Sequence, residues 1–91
     1  MMKDVYCIKD RRTGYQPELM LFENDHVAKR WLNQLICDYK DSERLRNAPL
    51  IMYPDDFELW FIGNFDSSDG FVDLGVKPTM VCTVADFLKE K

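Results

Sequence analysis

The fold is decided by residues 53–70, which read YPDDFELWFIGNFDSSDG. Between Phe57 and Phe65 the side chains alternate between two faces, as in a β-strand that is apolar on both sides. One face is predicted to carry Phe57, Leu59, Phe61 and Phe65, and the other Glu58, Trp60, Ile62 and Asn64. Gly70 can supply the positive φ of a tight turn, so residues 71–74 are expected to return as the partner strand of a hairpin.

A second hairpin and the main helix are predicted upstream of this strand. Residues 4–10 and 18–23 have the apolar pattern of strands, and residues 11–14 between them form the predicted turn. Asn24 or Asp25 can cap a helix of about four turns that frays near residues 40–41. Its apolar stripe consists of Ala28, Trp31, Leu32, Leu35, Ile36 and Tyr39.

The rest of the chain completes one domain, residues 1–91. Residues 41–52 are a polar connector of undetermined conformation. A short extended segment is expected at residues 80–82, and Thr83 is expected to cap a final helical segment over residues 84–90. The order is ββαββ followed by a short helix. It predicts an α+β fold in which an antiparallel sheet of two hairpins packs on one main helix.

Both faces of this sheet are apolar, and one helix covers only one face. The second face is therefore expected to be covered by the C-terminal helix, with Phe87 and Leu88, or by a second subunit. Because large exposed apolar patches are uncommon on monomers, the sequence favours a homodimer.

Composition places the chain among small packed domains of a reducing compartment. It has 91 residues, is 46% hydrophobic and 31% charged, and contains no apolar run long enough to span a bilayer. Cys7, Cys37 and Cys82 are odd in number and widely spaced, so we expect reduced, mostly buried thiols and no disulfide framework. With no secretion signal at residues 1–4, a cytoplasmic protein without a membrane anchor is expected.

The chain has none of the sequence motifs that commonly mark enzymes. It lacks the glycine-rich phosphate loops and the nucleophile elbow, and its single histidine, His26, has no catalytic motif around it. Asp55, Asp56 and Glu58 are a weak candidate for paired acid–base carboxylates, and the loop from Asp66 to Gly70 lacks the ligand spacing of an EF-hand. We therefore expect a protein without catalytic residues, metal or cofactor.

The distribution of basic residues is compatible with a nucleic-acid interface. Net charge is −4, divided as +1 over residues 1–46 and −5 over residues 47–91. If the basic residues of the first hairpin and the helix start converge, they form a strip beside aromatic faces, Tyr6, Tyr15 and Trp60, that can stack on single-stranded bases. The candidate nucleic-acid-binding residues are Lys9, Arg11, Arg12, Lys29, Arg30 and Trp60. The simpler interpretation is that these residues belong to an ordinary solvated surface that binds no nucleic acid.

Four blocks of the sequence resemble the small nonstructural protein of gokushoviruses, the tailless single-stranded-DNA microviruses of bacteria. These blocks are residues 5–10, residues 22–25 with Ala28 and Arg30, residues 54–66 with Asp69 and Gly70, and residues 85–87. The resemblance implies a protein made in the infected bacterium, absent from the mature shell, and assigned to viral DNA replication or packaging, often as a DNA-binding protein. It transfers no catalytic residue.

The resemblance leads to one expected function and one alternative. The expected function is a non-catalytic phage accessory protein in the host bacterial cytoplasm that supports single-stranded DNA replication or packaging, through weak single-stranded DNA contacts or through protein partners. The alternative is a protein-interaction module that binds a viral replication or capsid protein with its acidic C-terminal hairpin and does not touch DNA.

Overall fold

A five-stranded antiparallel sheet carries one main helix, as the α+β prediction required. The computed structural model describes residues 2–73 and 77–88. Its strands are β1 (Met2–Asp10), β2 (Gly14–Phe22), β3 (Phe57–Asp66), β4 (Phe71–Asp73) and β5 (Thr79–Thr83). Its helices are α1 (Asp25–Asp41), α2 (Pro49–Met52) and α3 (Ala85–Leu88), and a 3₁₀ turn spans Pro54–Asp56.

β3 lies at the centre of the sheet. One of its edges pairs with β1, which in turn pairs with β2 at the outer edge of the sheet. The other edge of β3 pairs with β5 near its start and with β4 near its end. The fifth strand, predicted only as a short extended segment, is thus part of the same sheet. The predicted return strand included residue 74, which lies outside the described residues.

β2 begins earlier than its sequence predicts, because a strand at the edge of a sheet tolerates proline. The prediction started this strand after Pro17, yet it runs from Gly14 and contains Pro17. The register between β1 and β2 shifts at this point, because three residues of β2, residues 16–18, lie opposite the single β1 residue Ile8. The carbonyl oxygen of Gln16 accepts a hydrogen bond from the Cys7 thiol at 3.0 Å. A proline at this outer edge also blocks pairing with further strands.

A bulge in β3 reverses the predicted positions of its last residues. Val5 pairs with Gly63 but Tyr6 pairs with Phe61, which leaves Ile62 as an extra residue. Beyond the bulge, Asn64 faces α1 and donates a hydrogen bond to Asp4 Oδ1 at 3.1 Å. The prediction that Phe65 shares a face with Phe57, Leu59 and Phe61 is therefore wrong, since Phe65 follows Asn64 and points to the opposite face.

The helices begin where capping side chains were predicted. Asn24 Oδ1 accepts a hydrogen bond from the Val27 amide at 3.0 Å, and α1 continues to Asp41. Thr83 and Asp86 form a reciprocal capping box at α3, in which each side chain accepts a hydrogen bond from the other residue's amide. The predicted end of this helix at residue 90 lies outside the described residues. The connector forms turns and then α2, whose first residue is Pro49.

The core lies between α1 and one face of the sheet. Its fully buried members come from α1, the strands and the segment before α3: Tyr6, Ala28, Leu32, Ile36, Leu59 and Val84. Phe87 and Leu88 of α3 pack against the same cluster. The expectation that the C-terminal helix covers the second sheet face is therefore wrong for the described residues, because α3 lies on the same side as α1.

A buried tyrosine links the start of α1 to the sheet. Tyr6 is 0% exposed, and its hydroxyl donates to Asp25 Oδ1 at 2.6 Å while Asp4 Oδ2 lies 3.2 Å away. Burial, followed by the hydrogen bond to Asp25 and the negative charges of Asp25 and Asp4, raises the pKa of Tyr6 far above its ordinary value. The prediction that Tyr6 offers a stacking face to nucleic acid is wrong, because its ring is enclosed in the core.

Replacing Tyr6 with phenylalanine tests this link. Tyr6→Phe removes a hydrogen bond to a charged carboxylate, so we expect a loss of about 1.5–3 kcal/mol in the free energy of unfolding by urea at neutral pH. Tyr15→Phe, at an exposed tyrosine, is the matched control and should change stability by less than about 0.5 kcal/mol. Equal effects of the two substitutions would contradict a stabilising role for the Tyr6 hydroxyl.

The raised pKa of Tyr6 predicts that the stabilising effect of its hydroxyl depends on pH. The unfolded chain releases the tyrosine proton near pH 10, whereas the folded chain retains it because the pKa of Tyr6 is raised. Its contribution to stability is therefore complete below about pH 10 and is lost as the pH rises further. The difference in unfolding free energy between wild type and Tyr6→Phe should shrink between neutral pH and pH ~11.

The three cysteines should differ in reactivity. Cys7 and Cys82 are buried and Cys37 is exposed. Burial raises the pKa of the Cys7 thiol, and burial together with the Asp86 charge raises the pKa of Cys82 to about 11. A thiol reagent at neutral pH should thus label one thiol rapidly in the folded protein and all three in urea. Cys37→Ser should abolish the fast phase; a fast phase that persists would contradict this assignment.

Candidate functional site

The sheet face opposite α1, termed the open face, has no helix of the described chain packed on it. Strand alternation places Val5, Cys7 and Lys9 of β1 on this face, because Tyr6 and Ile8 point towards α1. Their partners on β2 and β3 include Leu21, Leu19, Tyr15 and Trp60. Functional side chains on this face are therefore positioned by three hydrogen-bonded strands.

One end of the open face combines aromatic rings with cations. The Lys9 ammonium lies 4.6 Å from the centre of the Trp60 ring and 5.2 Å from that of Tyr15. The two rings contact each other edge to face, with centres 6.0 Å apart. With Arg11 and Arg12 from the adjacent turn, these residues form the basic aromatic end. Cation–π contacts hold the Lys9 charge beside two rings at the surface.

Glu58 holds the Trp60 ring in place. Trp60 Nε1 donates to Glu58 Oε1 at 2.8 Å, and Arg11 Nε lies 3.9 Å from Glu58 Oε2. Because residues two apart in a strand share a face, Glu58 lies beside the ring that it orients. From sequence, Glu58 was only a weak acid–base candidate, although the Glu-x-Trp spacing was the signal for this positioning role.

Arg11 and Arg12 are paired with acids but stay accessible. Arg12 Nε lies 3.6 Å from Asp56 Oδ2, and the side chains of Arg11 and Arg12 are 61% and 79% exposed. Ion pairs this exposed contribute about 0–1 kcal/mol, so a ligand phosphate can replace the carboxylate at little cost. The guanidinium groups are thus available to an anionic ligand.

The structure brings together four of the six predicted nucleic-acid-binding residues. Lys9, Arg11, Arg12 and Trp60 lie at the basic aromatic end. Lys29 and Arg30 belong to α1, which lies on the other side of the sheet. On that side the Lys29 charge lowers the pKa of Cys82, although burial raises it by more. The predicted strip is therefore divided between two layers of the fold.

The other end of the open face is apolar except for Lys3, which pairs with Phe65. This apolar half consists of Val5, Leu19, Leu21, Ile62 and Phe65. Leu19 and Leu21 are exposed, while Val5 beneath them is buried. Exposed leucines on a flat sheet are typical of a surface that contacts another macromolecule.

The acidic residues do not form one site. Asp55 and Asp56 precede β3, whereas Asp66 ends it and Asp69 and Asp73 follow. Nine residue steps along a strand span about 30 Å, so the two groups cannot share a carboxylate site. Asp66 Oδ1 accepts hydrogen bonds from the Ser68 amide and hydroxyl, which lower its pKa, and Gly70 has a φ of 73°. These are features of the predicted hairpin turn.

The described residues contain neither a metal-binding cluster nor a helix that could span a membrane. Among residues 2–73 and 77–88, no group of three or more His, Cys, Asp or Glu side chains is arranged to hold a metal ion. Within the same ranges, no helix has the length and apolar character needed to cross a membrane.

Comparison with protein families identifies the family of the chain. Residues 3–87 match the model of the family described as "Phage ORF5 protein". No curated protein and no solved structure shows significant similarity to the chain. The match covers the sheet, α1 and all but the last described residue of α3. The chain therefore belongs to the Phage ORF5 protein family, a family of bacteriophage proteins.

Proposed function

We propose that this phage protein is a non-catalytic accessory protein that binds single-stranded DNA weakly through its basic aromatic end. The observation that carries the proposal is the Lys9 ammonium held over the Trp60 and Tyr15 rings on the sheet face that no helix of the described chain covers. The gokushovirus resemblance supplies the context, which is replication or packaging of a single-stranded viral genome in the host bacterial cytoplasm.

Aromatic and basic side chains have different roles in this proposal. Unpaired bases present flat faces of any sequence, and Tyr15 and Trp60 offer ring surface for stacking. Phosphates lie beside stacked bases, where Lys9 and the exposed guanidiniums of Arg11 and Arg12 can neutralise them. Binding should be weak because the chain as a whole is acidic, with a net charge of −4, and it should weaken with salt because each phosphate contact releases counterions.

The apolar half supports the proposal that the protein is a homodimer. Val5 and Lys9 are four residues apart on β1, a distance of about 13 Å along the strand. A second copy can therefore cover Leu21, which pairs with Val5, and extend to Leu19 in the row of Cys7 and Trp60, while Lys9, Arg11 and Arg12 stay accessible. Such a dimer carries two DNA-binding ends, and tethering two weak sites increases the affinity for one strand.

DNA binding is tested by titrating labelled oligothymidine at two salt concentrations. We expect binding at low salt, with quenching of tryptophan fluorescence, and a steep loss of affinity at higher salt. Combining Lys9→Gln and Arg12→Gln should weaken binding and reduce the salt slope by roughly 0.7 for each lost phosphate contact. The control combines Lys29→Gln and Arg30→Gln, which make the same charge change on α1 and should leave the slope unchanged.

The control distinguishes a local interface from general electrostatics. Equal effects of the two double variants would overturn the assignment to the basic aromatic end. Absence of binding at low salt would overturn DNA binding altogether.

The second candidate function is that of a protein-interaction module without DNA contact. It is favoured by the acidic turn between β3 and β4, where Asp66, Asp69 and Asp73 lie together near one end of the sheet. A basic surface on a viral replication or capsid protein would complement this end. This candidate becomes the leading one if the titration shows no DNA binding at low salt.

The dimer is tested by sedimentation of wild type and two matched variants. Leu19 in the apolar half and Met52 on α2 are 55% and 53% exposed, so replacing either with glutamate should leave the monomer folded. Leu19→Glu should weaken dimerisation by tenfold or more, because it places a charge in an apolar interface, and Met52→Glu should have little effect. Wild type that sediments as a monomer at high concentration would refute the dimer.

A further inference from the structure

A groove lies on the other side of the sheet, between α1 and the strands. Its volume is about 730 Å³, and its walls come from β1, β2, α1 and the segment around α2. The apolar lining consists mainly of Ile8, Met20, Trp31, Leu35, Leu50 and Phe57. Except for the buried Phe57, these side chains are partly exposed although they pack against the core. The groove is thus an open extension of the core.

α1 explains why this space exists. Its apolar stripe is wider than the contact it makes with the sheet, so Ala28, Leu32 and Ile36 are buried while Trp31, Leu35 and Tyr39 line the groove. Trp31, Leu35 and Tyr39 follow one another at intervals of four residues, which places them in one row along the helix. This row faces Met20 and Glu18 of β2 across the groove. None of the described residues fills the space between them.

The charged residues of the groove have one sign. Asp10 of β1 and Glu18 of β2 line it, and no lysine or arginine does. A ligand with apolar groups and a neighbouring positive charge therefore complements the lining, whereas the phosphates of a nucleic acid are repelled. This groove and the basic aromatic end thus suit ligands of opposite charge on opposite sides of the sheet.

We propose that this groove binds a segment of another protein in which large apolar side chains stand next to lysine or arginine. The apolar side chains replace water against Trp31, Leu35 and Met20, and the cations lie beside Asp10 and Glu18. Because the groove is open to solvent, a peptide can keep its polar backbone in water while its side chains enter, which is the mode of a segment bound in a surface groove. A small apolar molecule would leave part of its own surface exposed.

The two tryptophans allow a specific test. The chain contains only Trp31 and Trp60, and they lie on the groove and on the open face. In the Trp60→Phe variant, fluorescence reports on Trp31 alone. Titration with a short peptide of alternating leucine and lysine should give a saturable blue shift, whereas peptides of leucine with glutamate, or of serine with lysine, should give none.

A matched charge reversal locates the binding. In the Trp60→Phe background, Glu18→Lys should weaken peptide binding by roughly tenfold, because it removes one ion pair and adds a like charge. Glu43→Lys makes the same change at an exposed connector residue and should alter affinity by less than about twofold. Circular dichroism confirms that both variants are folded.

Three outcomes would overturn the proposal. They are equal weakening by the two charge reversals, equal binding of the serine–lysine peptide, and the absence of a Trp31 response at saturating leucine–lysine peptide. The first two would show that peptide binding is general attraction to an acidic protein, and the third that the groove does not accept apolar side chains.

Discussion

The structure depends on one constraint, which is that a single helix covers one face of a sheet that is apolar on both faces. β3 contributes to both faces, with Leu59 buried under α1 and Trp60 on the open face. α3 does not relieve the constraint, because Phe87 and Leu88 pack on the side already covered. The arrangement therefore gives the fold one core between α1 and the sheet, and leaves the second face without a helix of the described chain. For this reason the proposed DNA contacts and the proposed dimer interface are both placed on that face.

The order of the elements followed from local patterns in the sequence. The strand at residues 57–65, the stripe on α1, the helix start at Asn24 or Asp25 and the cap at Thr83 all act within a few positions of the chain, and the structure contains each of them, with Asn24 as the cap of α1. The bulge at Ile62 was not, because it arises from the register between β1 and β3, which is set by residues about 60 positions apart. One extra residue was enough to move Phe65 to the open face. The early start of β2 was missed for a similar reason, since Pro17 is tolerated only because β2 lies at the sheet edge.

The candidate site was predictable in part. Residue type and proximity in sequence suggested Lys9, Arg11 and Arg12, which the β1–β2 turn keeps together, and Trp60 joins them because β3 pairs with β1. Lys29 and Arg30 were grouped with them by charge alone, and charge carries no information about which side of a sheet a helix occupies. The groove was missed altogether. Its signal was the width of the α1 stripe, six residues including Tyr39, which exceeds what one narrow contact with a sheet can bury.

The two proposed binding sites, on opposite sides of the sheet, would depend on different interactions, so experiments can separate them. On the open face, cations sit over aromatic rings, so an anionic partner gains from both stacking and charge, and salt weakens it strongly. In the groove, the apolar lining supplies most of the surface and the acids at Asp10 and Glu18 select a cationic partner. Since β1 contributes Lys9 to one side and Asp10 to the other, adjacent residues of one strand would belong to sites for ligands of opposite charge. If both proposals hold, the protein binds single-stranded DNA and a basic protein segment at the same time, on opposite sides of one sheet.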